Sequence, residues 1–90
     1  MSEKLKIKGE LVLREVAGEY ILIPLGETAL QLTGMISLSE SGVLLWKKLQ
    51  TGCALDELSA ALMEEYDVDP ETAEADVNAF VEHLKELKLL

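Results

Sequence analysis

The sequence predicts an α+β domain in which a small antiparallel β-sheet of about three strands precedes a three-helix bundle. Three observations lead there. Up to Leu38 the apolar residues fall in short, β-rich runs broken by turn residues. From Ser39 onward they recur at helical spacing. Ninety residues also supply one modest core and no second one, so strands and helices must share it. Residues 1–90 are therefore read as a single domain, in which 1–10 is free to be flexible.

Leu11–Val16 (LVLREV) reads as a strand, Ala17-Gly18-Glu19 as a short turn, and Tyr20–Leu25 (YILIPL) as the returning strand of a hairpin. Pro24 has no N–H to give a ladder and is expected at a strand end or edge. From Ala29 the pattern alternates: Leu30, Leu32, Ile36 and Leu38 share one parity. This predicts a half-buried strand interrupted at Thr33-Gly34, with its last stretch at Met35–Leu38.

Three helices should follow. Ser39 or Ser41 can cap the first, whose body is Val43–Leu49 with Leu45, Trp46 and Leu49 facing inward. Thr51-Gly52-Cys53 ends it, and the second helix spans Leu55 to Tyr66 with Leu55, Leu58, Leu62 and Tyr66 on one stripe. Asp69 caps the third, with Pro70 in its first turn, where a missing N–H does no harm. Ala73, Val77, Phe80, Leu84 and Leu87 form its apolar stripe, with Val81 beside it. Strands first and then three helices is a layout compatible with a winged helix-turn-helix.

Charge narrows the function. The net charge is −9, and between Lys48 and Lys85 there is no Lys or Arg. The would-be recognition helix of a DNA-binding winged helix carries Glu71, Glu74, Asp76 and Glu82, the wrong sign for a phosphate backbone. A nucleic-acid partner is not expected. The N-terminus has Lys4, Lys6 and Lys8 alternating with Leu5 and Ile7 and no long apolar run after them, so neither a secretory signal nor a membrane span is expected. Cys53 is the single cysteine, which agrees with a reducing compartment and makes the cytoplasm the expected location.

No catalytic constellation is visible. His83, the single histidine, has no ligand partners at metal spacing and reads as an exposed helix residue. Cys53 has no identifiable base beside it, and Glu64-Glu65 reads as helix solvation. A phosphopantetheine carrier would want an Asp-Ser pair at a helix start, whereas Ser39 and Ser41 lie in Ser39-Glu40-Ser41-Gly42 with no Asp before either. The expected protein is not an enzyme and needs no cofactor and no metal.

The segments in order carry a further signal. Leu38-Ser39-Glu40-Ser41-Gly42 closes the last strand, and the apolar pair Leu45-Trp46 begins three residues on. Glu64–Asp69 (EEYDVD) comes next, across the end of the second helix, and Ala75-Asp76-Val77 with Phe80-Val81 and Leu84 marks the third. This arrangement, from Leu11 to Leu90, resembles the PqqD family. Two positions depart from it: Ser39 stands where an Asn is usual, and Ala54 stands where the second helix usually has its cap.

The resemblance implies a winged-helix RiPP recognition element: a non-catalytic peptide chaperone, as in PQQ biosynthesis, that binds the leader of a ribosomally made precursor. It implies a leader added as an extra strand along Met35, Ile36, Ser37 and Leu38, with Val77, Phe80, Val81 and Leu84 lining the neighbouring groove. The implied enzyme partner is a radical SAM protein of the SPASM type with auxiliary iron–sulfur clusters, and a homodimer is allowed. A core role for each of the four helix residues is the competing expectation. A DNA-binding winged-helix regulator and a generic protein-interaction module are the alternatives for the whole chain.

Overall fold

The computed structural model describes residues 4–32 and 36–90. In chain order its elements are β1 (Lys4–Leu5), β2 (Leu11–Val16), β3 (Glu19–Pro24), α1 (Gly26–Gln31), β4 (Ile36–Leu38), α2 (Glu40–Thr51), β5 (Cys53–Ala54), α3 (Leu55–Glu65) and α4 (Pro70–Glu86).

Val16 faces Glu19 across a two-residue loop, and both loop residues have positive φ, 54° at Ala17 and 82° at Gly18. That pair of angles is the type I′ turn whose twist matches a hairpin. β3 then pairs antiparallel with β4, Tyr20 opposite Leu38 and Leu22 opposite Ile36, giving the order β2-β3-β4. Pro24 sits at the end of β3. Because side chains alternate across a sheet, Leu11, Leu13, Leu22, Ile36 and Leu38 share the face that packs on the helices.

The core lies between that face and the three long helices. Leu22, Leu45, Trp46, Leu49, Leu58, Val77 and Leu84 are its largest fully buried side chains. Ser39 starts α2 by accepting the Gly42 N–H at 3.2 Å, and Asp69 starts α4 by accepting the Thr72 N–H at 2.9 Å, with Pro70 next. Ala54 has no side-chain acceptor to cap α3, but the Glu57 carboxylate reaches back to the Ala54 N–H at 3.0 Å. Half of a capping box therefore survives.

The strand expected from Ala29 is corrected by a short helix. Gly26–Gln31 is helical, and Leu30, expected on the buried parity, is 86% exposed. The driver is Thr28. Its buried side chain accepts the Glu10 N–H at 2.9 Å, which ties the turn to the base of the hairpin. Gly9, at φ +90°, allows that approach, since a Cβ there would lie 2.6 Å from the Thr28 hydroxyl oxygen. Thr33 and Gly34, the expected interruption, lie outside the described residues. The N-terminal segment is also built into the fold: β1 pairs with β5, the Ile7 N–H donates to Leu49 and the Lys8 N–H donates to Leu89.

Candidate peptide-docking site

β4 is three residues long and forms one edge of the sheet. Ile36 and Leu38 turn inward and are half-buried, while Ser37 between them is exposed. Met35, expected to extend this edge, lies outside the described residues. An edge strand leaves alternate N–H and C=O groups for a further strand to satisfy.

One residue of α4, Phe80, comes close to the Leu38 end of this strand. Val77, Val81 and Leu84 are 1%, 3% and 0% exposed and belong to the core. Spaced i, i+4 and i+7, they make one stripe that the helix buries against its neighbours. Phe80 is turned off that stripe and is half-buried. Its ring lies against the first turn of α2: a Cβ on Gly42 would be 3.4 Å from Phe80 Cε1 and 3.5 Å from the Leu38 Cβ. Gly42 thus brings β4, α2 and Phe80 together. Of the four α4 residues expected at a groove, Phe80 is the one that reaches the surface, next to Leu38.

The chain leaves β4 through Ser39, and Ser39 also lines a groove of about 440 Å³. Its apolar floor is Leu62, Tyr66 and Val68, and its rim is Ser39, Glu40, Ser41 and Asp76. Sequence reasoning placed Tyr66 on the inner stripe of the second helix and gave Val68 no role. The signal was the apolar pair Tyr66 and Val68 persisting past the end of α3, where a loop should be polar. The outer surface of α4 is acidic, with Glu71, Glu74, Asp76 and Glu82 all exposed.

Chemistry is sparse around this edge. Cys53 is buried in β5, and burial followed by the charge of Glu57 pushes its thiol above the usual range. His83 is exposed, and among the described residues no group of His, Cys, Asp and Glu is arranged to hold a metal ion. Among the described residues no helix is long and apolar enough to cross a membrane.

A short open sheet edge running into an apolar groove is the arrangement by which β-augmentation domains take peptides. Residues 12–90 match the family described as coenzyme PQQ synthesis protein D (PqqD), and the chain belongs to that family. It is also similar to a solved structure described as TbiB1 in complex with the TbiA(beta) leader peptide. The two share 28% identity with a TM-score of 0.73, over 96% of this chain and 94% of that one. No curated protein matches the chain at a significant level.

Proposed function

We propose that this protein is a RiPP recognition element: a non-catalytic chaperone that holds the leader of a ribosomally synthesised precursor peptide for a modifying enzyme. What carries the reading is the free β4 edge beside Phe80 and an apolar groove, in a PqqD-family chain similar to a leader-bound protein. The leader adds to β4 as an antiparallel strand. Main-chain hydrogen bonds along Ile36–Leu38 supply affinity, and side chains facing Phe80 and the groove supply selectivity. The sheet followed by three long helices serves as a winged helix-turn-helix turned from DNA to peptide.

The enzyme partner is a radical SAM protein of the SPASM type, which supplies the chemistry that this chain lacks. The protein works in the cytoplasm without cofactor or metal of its own, as a monomer or a homodimer. A short open reading frame and a radical SAM gene beside this gene would supply the partners for a direct test. That test is a titration of the ¹⁵N-labelled protein with the encoded leader. The expected amide shifts fall on Ile36–Leu38 and around Phe80. Shifts confined to α3 or to the Ala17–Glu19 turn would refute the docking reading.

A further inference from the structure

We infer that the groove at the Ser39 end of β4 selects a peptide carrying a large apolar side chain flanked by Lys or Arg, just N-terminal to the added strand. The inference rests on the peptide-holding reading and specifies its ligand. β4 runs from Ile36 to Leu38 and leaves through Ser39. A strand added antiparallel to it runs the other way, so its N-terminal flank passes over Ser39 into the groove. At about 440 Å³ the groove is in the size range of ligand clefts, and its floor of Leu62, Tyr66 and Val68 suits an apolar side chain.

The rim decides what accompanies that side chain. Glu40, on α2, and Asp76, on α4, both line the groove and are both exposed. Among the described residues no Lys or Arg lines the groove. Along α2 the first basic residues after Glu40 are Lys47 and Lys48, about 10 Å farther on at 1.5 Å per residue. Glu64, Glu65 and Asp67, exposed around Tyr66, add to the same field. A cation beside the apolar anchor meets two carboxylates there, and an acidic residue is repelled.

The test starts with random peptides displayed on phage and selected against the intact chain at low salt. The enriched consensus is then synthesised with a fluorescent label. We expect a large apolar residue with Lys or Arg within three positions, upstream of a β-prone stretch. Changing that Lys or Arg to Glu should weaken binding about three- to tenfold, an effect that high salt removes. Asp76→Lys, at an exposed position, should weaken the parent peptide similarly and restore binding of the Glu peptide. Glu40→Gln should give a smaller loss. Amide shifts at Ile36–Leu38 without any charge preference, and without compensation by Asp76→Lys, would overturn this inference and leave peptide docking standing. Failure to enrich any peptide, or binding with Ile36–Leu38 silent, would overturn the peptide-holding reading and this inference together.

Discussion

Replacing Val77 and Phe80 in turn by alanine should separate the core of α4 from its docking surface. Val77 is 1% exposed. Val77→Ala removes the equivalent of two methylenes at about 0.8 kcal/mol each and leaves a small cavity, so the fold should lose about 2 kcal/mol. Phe80 is half-buried, and its truncation should cost the fold about 2 kcal/mol, roughly half the penalty at a fully buried site. Both losses lie within the total stability of about 5–15 kcal/mol usual for a domain, so both variants should fold. Binding should part them. A leader lying on the open part of the Phe80 ring covers a few tens of Å² of it, worth about 1 kcal/mol, or about fivefold in Kd. Urea denaturation gives the stabilities, and anisotropy of a labelled leader gives the affinities. We expect equal destabilisation with weakened binding in Phe80→Ala alone. If Val77→Ala weakened binding as much while fully folded, the buried stripe would have to open to admit the peptide, and the assignment of Val77 to the core would fail.

Three further outcomes follow from local structure. Ala17 holds φ 54° in the hairpin turn, where Asn is better tolerated, so Ala17→Asn should stabilise by about 0.5–1 kcal/mol in urea; a loss would contradict the type I′ assignment. The buried Cys53 thiol, pushed up by desolvation and by Glu57, should resist a thiol reagent at pH 8 until denaturant is added; rapid labelling of the folded protein would contradict its burial. Asp69 is held below the usual carboxylate range by the Thr72 hydroxyl and N–H. A folded-state pKa below the unfolded one adds stability above the unfolded value, and this is lost as pH falls through about 4 towards the folded value. The urea midpoints of wild type and Asp69→Asn should therefore converge below about pH 4, and a constant gap from pH 7 to 3 would contradict the cap's charge.

The hairpin, the three long helices and the caps at Ser39 and Asp69 were legible because each has a local cause: period, turn residue or side-chain acceptor. The Gly26–Gln31 helix was not. Its cause is the hydrogen bond between Glu10 and Thr28, residues eighteen positions apart, and the alternation that is genuine at Ile36–Leu38 extended back to Leu30, which is helical. The pairing of β1 with β5 was hidden for the same reason, since a two-residue strand carries no pattern of its own. At the site, helical spacing put Val77, Phe80 and Leu84 on one apolar stripe with Val81 beside it, and the family resemblance made these four the groove lining. Which of them faces outward depends on where α2 approaches, and the Gly42–Phe80 contact that fixes it is tertiary.

Exposed backbone alone does not single out β4 as the docking edge, because the sheet has a second edge. β2 has six residues against three in the described part of β4, and would offer more main-chain hydrogen bonds. Two features argue against it. Arg14 and Glu15 stand exposed in its second half, and charges of this kind are how edge strands resist unwanted pairing. Arg14 also lies on the face of β2 that carries Val12 and Val16, away from the helices, so side chains docked there gain no wall. β4 is short and bears no charge, and it opens directly onto Phe80, Gly42 and the Ser39 groove. Three residues of ladder give few hydrogen bonds, each with a net value of about 1 kcal/mol. The rest of the affinity must come from side chains on the helical wall. A domain built this way reads sequence as well as backbone, which is what a chaperone needs to distinguish its own precursor from every other extended chain.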